Sequence, residues 1–583
     1  LEKALRNVCH FGVAMTRLIA AILQAIALVL LTQAAIRPLA WPATDPNIFV
    51  PLLLVSIYAP VLVMLGVTQL RAKPLAVWAA VASVALLALG YHEASRGTFV
   101  QFGSLFEYGD LFPRVAFWLP VSIALFIAHV LVVDSVSAWS LIPDYRKHFD
   151  TAWKLGLQAA LAALFVGVFW GILSLGAALF SLIGLHGFAR LLRHDWFSEP
   201  ATTLALALSI QATDVQPALI RGTRGIVLTL FSWLLPLLAA ILAAFLLTLP
   251  FISLQPLFRT HFAASLLLTT AILLIFLINC CYQDGAEERT ANRAKRIAAS
   301  LGAAEILPFA ALAIVAIALR VQQHGWSVPR IEAAIIAVLT LCYGVGYFIA
   351  IWPRGLWLKR LERTNLIAAY VTVVLVLLIN STLADPARLM VASQLASLRS
   401  GVTPVAKFDF NALRTEGARW GKAALTDLAK REGPENQLAA KAALAALNQT
   451  SPGSPPTTAQ ITAAITILPA GRKLPERLDD DIRNGLARAV LNSCAHQNCL
   501  AQYVTLAPGA AEALVLIGPF SGVLLEPDAS GHWAQAAQLQ GSFYCQEARE
   551  ALAAGKIDLS PHQYPDILIG GQRFVIEQHA LCR

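Results

Sequence analysis

The residues of this chain best placed for chemistry are ionisable and amide side chains inside apolar stretches. His129 and Asp134 stand in one apolar run and Asn279 in another. A charge in hydrocarbon costs about 2.5–3.5 kcal/mol on insertion scales, so it usually faces protein or a water-filled cavity. A general base at the membrane surface is the chemistry that His129, Asp134 or the polar loop 284–296 could supply. Five residues of separation put His129 and Asp134 about 140° apart on a helix, so no same-face pair is expected. Asp134 also lies near an expected span end, where water can solvate it. Asn279, in Ile-Asn-Cys-Cys, reads first as an interhelical hydrogen-bonding residue. Glu305 is expected to open a helix, where a carboxylate suits the positive end of the dipole. Arg320 and Arg330 bracket the loop 324–329 and are candidate contacts for an anionic lipid headgroup; the plainer reading is that they snorkel to the interface.

Compact enzyme signatures are absent: no G-x-x-x-x-G-K-[ST] loop, no H-E-x-x-H helix and no G-x-S-x-G elbow. No cofactor and no metal are expected, and the enzyme reading is weakened. Asp479, Asp480 and Asp481 read as solvated carboxylates near a helix start. Glu526, Asp528 and Ser530 lack the full calcium-loop pattern.

The elements that must position these residues are transmembrane helices. Charged residues are only 14% of the chain, against about a quarter in soluble proteins. Apolar runs long enough to cross a hydrocarbon core of ~30 Å recur along the first two thirds. The expected spans are 13–35, 50–70, 74–91, 115–138, 153–184, 198–214, 226–252, 262–283, 304–322, 331–352 and 365–384. The first reads as a membrane helix rather than a cleaved signal peptide. The fifth is too long to stand upright and must tilt, kink or extend into water. The sixth is short, is flanked by Glu199 and Asp214, and reads as either a crossing or a re-entrant half-helix. Gly167 and Gly171 match GxxxG, which permits close helix approach.

Charge arbitrates the sixth span. Residues 1–384 hold 26 Lys+Arg and 17 Asp+Glu, whereas residues 385–583 hold 18 of each. With eleven spans, 18 basic residues, Arg17 among them, fall on one side and 8 on the other. The positive-inside rule then puts the N-terminus in the cytoplasm and the C-terminal domain in the periplasm. No basic stripe with interleaved aromatics marks a nucleic-acid surface. The expected partners are the bilayer and a membrane or periplasmic protein.

The tail, 385–583, holds Cys494, Cys499, Cys545 and Cys582. An even set in an exported domain reads as two disulfides with three possible pairings. Residues 385–450 are expected as a helical extramembrane segment, 451–457 as a linker and 458–583 as a small α+β domain. Within that domain 458–467 and 474–491 look helical. Strands are expected from Tyr503 onward, at 513–517, 522–525 and 533–539, with a hairpin at 567–576. The fold class is thus an α-helical polytopic membrane protein of about eleven spans with a C-terminal soluble α+β domain.

Several stretches resemble a bacterial multi-pass family, domain of unknown function 4153. They are Ser181-Leu-Ile-Gly184, Phe231-Ser-Trp-Leu-Leu-Pro-Leu237, Ile278-Asn-Cys-Cys-Tyr-Gln-Asp-Gly285 and His324-Gly-Trp-Ser-Val-Pro-Arg330. Asp385-Pro-Ala-Arg-Leu389, Ser393-Gln-Leu-Ala-Ser-Leu398 and Phe408-Asp-Phe410 complete the set, over about residues 150–420. The resemblance implies a bacterial inner-membrane protein and carries no reaction, ligand or catalytic residue. Function then reads as a transport or assembly component with a periplasmic sensing or docking domain. The alternatives are a transferase acting on a lipid-linked substrate and an accessory subunit of a larger complex.

Overall fold

A computed structural model describes residues 2–35, 40–97, 115–183, 185–251, 262–285, 292–352, 358–431, 433 and 436–448. Further on it describes 458–468, 472, 474–475, 477–483, 499–506, 511–517, 522–528, 531–539, 567–569 and 572–574. The chain divides into two compact units, Leu1–Gln449 and Thr450–Arg583. The expected linker 451–457 lies outside the described residues.

The first unit is helical. Its long helices are α1 (Glu2–Ala35), α2 (Pro46–Gly66), α3 (Ala72–Ser95), α4 (Val115–Ala138) and α5 (Tyr145–Leu182). After the short α6 (Gly187–Arg193) come α7 (Asp195–Val215), α8 (Pro217–Thr248), α9 (Ala263–Tyr282), α10 (Arg293–His324), α11 (Val328–Ile351) and α12 (Arg360–Ile379). Four shorter helices follow: α13 (Pro386–Arg399), α14 (Phe410–Glu416), α15 (Ala418–Ala429) and α16 (Gln437–Asn448). Caps set several starts. Asp45 accepts from the Asn47 amide at 2.9 Å with Pro46 next in line, and Asp385 does the same for Ala387 at 2.8 Å with Pro386. A proline at the first helical position lacks an amide that would be unpaired anyway.

Ten helices among the described residues are long and apolar enough to cross a membrane; α7 is not among them. Its contacts nevertheless make it a full pass of the bundle. Near its C-terminus Asp214 meets Arg17 of α1, and near its N-terminus Glu199 meets Thr32 of the same helix. Those two α1 positions are roughly 22 Å apart along the axis, so α7 runs antiparallel to α1 over that length. Connectivity agrees. Asp385, just after α12, bonds His92 and Arg96 at the C-terminal end of α3. Returning to that end takes an even number of passes after α3; α4, α5 and α8 to α12 supply seven, and α7 is the eighth. We call the bundle end where α1 begins the near end and the opposite one the far end.

The α2–α3 hairpin is closed at Gly90. A Cβ there would sit 2.7 Å from the Pro51 Cα, a backbone atom that cannot swing aside. Gly90→Val is expected to cost about 1–3 kcal/mol by overpacking, read as a lower unfolding midpoint in detergent. An unchanged midpoint would mean that the hairpin opens freely. In contrast, Gly167 and Gly171 have nothing within 4 Å of a built Cβ, so the GxxxG match makes no close approach within the described bundle. The 38-residue α5 is about 57 Å long, longer than the hydrocarbon core, as its length in the sequence requires.

Leu235, Leu274, Ile278, Ala299, Ile306, Ala337 and Tyr347 are among the residues of the main core of the bundle. A second core, with Val328, Met390, Phe408, Leu413 and Leu425, packs α13–α16 against the start of α11 at the far end.

In the second unit, α17 (Thr458–Ala463) and α18 (Leu478–Arg483) accompany a five-stranded sheet. Its strands are β1 (Ile465–Leu468), β2 (Cys499–Val504), β3 (Ala513–Ile517), β4 (Gly522–Pro527) and β5 (Trp533–Leu539), in spatial order 1-2-3-4-5. β1 pairs parallel to β2 and the rest are antiparallel. Ile465, Leu478, Ala501, Leu514, Leu516 and Val523 form part of its core. β6 (Ile567–Ile569) and β7 (Gln572–Phe574) make the expected hairpin. The helix expected over 458–467 stops at Ala463, because Ile465–Leu468 pairs with β2. Strand structure thus begins with β1 at Ile465 and resumes at Cys499, both ahead of the expected Tyr503.

Candidate functional site

Polar side chains gather in three seams inside the helical unit. The first centres on Asn279 of α9 near the near end. Its Oδ1 accepts from Asn365 Nδ2 at 2.6 Å and from Tyr145 OH at 3.3 Å. Its Nδ2 donates to Tyr347 OH at 2.7 Å and to the Ile275 carbonyl at 2.8 Å. Tyr347 OH in turn donates to Asn365 Oδ1 at 2.6 Å. Four helices, α5, α9, α11 and α12, are thereby clamped by neutral groups. One turn along, Tyr282 OH donates to Glu362 Oε1 at 2.8 Å. Two amides and two phenols whose donors point at one another have no free base to offer a substrate.

The second seam holds α1, α2, α5 and α7 together. Arg17, counted above among loop charges, is in fact 1% exposed. Its Nε donates to the Met64 carbonyl at 3.0 Å and its Nη1 to Gln211 Oε1 at 2.6 Å, while Nη2 binds Asp214 Oδ2. Thr68 Oγ1 also donates to Asp214, at 3.2 Å. Arg17 lies inside the bundle because α7 brings a carboxylate to meet it.

Asp134 and His129 are separate from that seam and from each other. Asp134 is fully buried. It accepts from Thr151 Oγ1 at 2.8 Å and pairs with His148 Nδ1 at 3.0 Å, fastening α4 to α5. The expectation that water solvates it is therefore corrected. His129 accepts from Trp78 Nε1 at 3.0 Å through Nδ1, which leaves the proton of the neutral ring on Nε2. Neither residue lines the cavities described here. Glu305 departs further from expectation. α10 starts at Arg293, so Glu305 lies three turns inside it, 3% exposed, and neither carboxylate oxygen has a hydrogen-bond partner among the described residues.

The third seam is at the far end. Asp385 Oδ2 takes His92 Nε2 at 2.8 Å and Arg96 Nη1, while Arg96 Nε stands 3.6 Å from Glu93. Arg419 of α15 donates its amide to the Arg96 carbonyl at 3.0 Å and Nη1 to Ser95 Oγ at 3.0 Å. Trp420 packs on His92 and beneath Arg419. Burial pushes the Asp385 carboxyl up, but the His92 bond, the Arg96 charge and the Ala387 amide outweigh it and hold it below the ordinary value. The seam latches α13–α15 onto α3.

Arg320, on α10, and Arg330, on α11, flank the far-end turn. Arg330 Nη1 donates to the carbonyls of Gly325 at 2.7 Å and His324 at 3.4 Å. Gln394 of α13 donates to the Trp326 carbonyl at 2.8 Å, and Glu416 accepts from the Val328 amide at 3.3 Å. The His324–Arg330, Asp385–Leu389 and Ser393–Leu398 stretches thus meet in one place, together with Phe408 and Phe410, whose rings contact edge to face.

Cys280 and Cys281 are buried, Cys281 Sγ donating to the Lys295 carbonyl at 3.9 Å, and Cys342 is exposed. Cys499 is buried at the start of β2; Cys494, Cys545 and Cys582 lie outside the described residues. Asp481 is not solvated as expected: it is 7% exposed and accepts from His532 Nδ1 at 2.8 Å and the Trp533 amide at 2.7 Å, fixing α18 to β5. A groove of about 840 Å³ lies along α10 between Arg293, Arg296, Ser300 and Ala304.

Together the helices and the sheet define an α-helical polytopic membrane protein with a C-terminal α+β domain. The chain belongs to the family described as domain of unknown function (DUF4153), whose model matches residues 49–419. No curated protein and no solved structure matches it.

Proposed function

We propose that the chain is an inner-membrane assembly component. Its bundle anchors, and its far-end helices hold in place, a platform from which the C-terminal domain docks a periplasmic partner. The observation that carries this reading is the Asp385 latch, which makes α13–α15 continuous with the bundle. The rival transferase needs Asp134, His129 or a group of the polar loop 284–296 at an open cavity; the first two are sealed among neighbouring helices, and the loop residues that line the α10 groove, Arg293 and Arg296, are guanidiniums that offer no general base. Transport would be favoured by a cavity with converging carboxylates; the α10 groove is lined by none.

Eleven passes and a charge asymmetry that remains 17 to 8 once the buried Arg17 is set aside support a cytoplasmic N-terminus and a periplasmic tail. In that compartment Cys494, Cys499, Cys545 and Cys582 form two disulfides. In intact cells an impermeant thiol reagent is expected to label these tail cysteines only after reduction. Labelling that waits for lysis would put the tail in the cytoplasm and end the periplasmic reading. Gently solubilised protein is expected to run in an assembly of fixed stoichiometry that is lost when residues 450–583 are removed. A monomer in both cases would rule out the docking role.

A further inference from the structure

At the far end, α11, α12 and α13 enclose an apolar cleft of about 550 Å³. Its walls include Trp326, Ile335, Val338, Leu375, Leu378 and Leu389, and Ser393 supplies a hydroxyl. Val338 and Leu389 are 56% and 42% exposed, so the cleft is open on the outside of the bundle. Two arginines adjoin its wall residues in the chain. Arg330 precedes the wall residue Ile331, and Arg388 precedes Leu389. Arg330 meets the carbonyls of Gly325 and His324, and Arg388 that of Thr382. Among the described residues neither guanidinium is matched by a carboxylate.

We infer that this cleft holds one acyl chain of an anionic phospholipid whose phosphate is bound by Arg330 and Arg388. The inference rests on the place of the bundle in a bilayer and is independent of the docking role. α11 begins at Val328 and α12 ends at Ile379, so Arg330 stands in the first turn of a spanning helix, and Arg388, on α13, reaches back to the Thr382 carbonyl just past the end of another. The fork of an arginine matches a phosphate in two-point geometry. An acyl chain is as well solvated by other lipid tails as by leucine. The apolar wall therefore fixes where the lipid lies, and the arginines decide which lipid it is.

The full chain in neutral detergent would be titrated with phosphatidylglycerol or with phosphatidylcholine of the same acyl chains, and bound lipid counted by native mass spectrometry. Two arginines predict a preference for phosphatidylglycerol on the order of thirtyfold. R388Q, at an exposed position away from the α10–α11 turn, is expected to lower that preference about fivefold, and R330Q/R388Q to abolish it. V338W and S393W, which fill the cleft from opposite helices, are each expected to displace the lipid. Equal binding of both lipids by the wild type would overturn the inference, as would an undiminished preference in R388Q. Phosphatidylglycerol retained by both tryptophan variants, with wild-type unfolding midpoints, would overturn the cleft as its site.

Discussion

Asp214→Ala is expected to destabilise the bundle by about 3–5 kcal/mol, because it leaves Arg17 buried without its counter-charge. Arg17 is 1% exposed, and its other partners, the Met64 carbonyl and Gln211, are neutral. The asymmetry matters more than the pair. Exchanging both partners for apolar residues, as in R17M/D214L, removes the desolvation penalty together with the attraction and is expected to be nearly neutral. Lys154 lies 3.7 Å from Asp214 but is 39% exposed, so K154A is expected to cost at most about 1 kcal/mol. Denaturant midpoints of the four proteins in one detergent would check the order. If D214A were as stable as wild type, the guanidinium would be reaching water and the second seam would not be sealed. The same variant tests α7 as a pass of the bundle, since Asp214 is among the residues that tie its ends to α1.

This seam also shows where sequence reading stopped. The apolar spans were legible because a run of about 20 apolar residues has few other uses. α7 was legible only through charge alternation, because its hydropathy is diluted by Asp195, Glu199, Thr202, Gln211 and Asp214. Those residues are tolerable at that depth because Thr32, Trp170 and Arg17 satisfy several of them, and no local pattern announces Thr32 and Arg17, which lie 167 to 197 positions earlier. For the same reason Arg17 read as a loop charge. Asn279 was read correctly as an interhelical hydrogen-bonding residue, since an amide in an apolar helix has few alternatives. Glu305 was misplaced because the polar first turns of α10 look like a loop, so the helix seemed to start about three turns late. In the second unit, Ile465–Leu468 is too short a run for periodicity to separate strand from helix; pairing with β2 decides it. Asp385 stood in a family-like stretch, yet its partners His92 and Arg96 lie 293 and 289 residues earlier, a distance that a single sequence does not bridge.

The far-end latch is expected to loosen in strong acid. Asp385 titrates below its ordinary value of 3.8, because the folded protein favours its charged form. A carboxyl lowered by folding contributes stability that is fully present above its unfolded pKa and is lost as pH falls through the folded one. The window is therefore below pH 3.8, and near neutrality the latch is intact. Asp385→Asn keeps the shape and the N-cap acceptor but removes the charge that faces Arg96, which is 3% exposed, and His92, which is 5% exposed. Removing a buried counter-charge costs up to about 3–5 kcal/mol, reduced here by Glu93, which stays 3.6 Å from Arg96 Nε. The loss should be local, because Asp385 starts α13 while the core around Leu274 and Ala299 lies in other helices. Hydrogen exchange at neutral pH is expected to speed up across residues 386–429 in D385N and to stay slow in α9 and α10. Lowering the pH of the wild type should reproduce that pattern, and D385N should show no further acid response in the same segment. An equal acid response in both proteins would transfer the switch to another group of the seam, Glu93 being the remaining carboxylate. Uniform acceleration through α9 and α10 would show that Asp385 supports the whole bundle and not only its far-end platform.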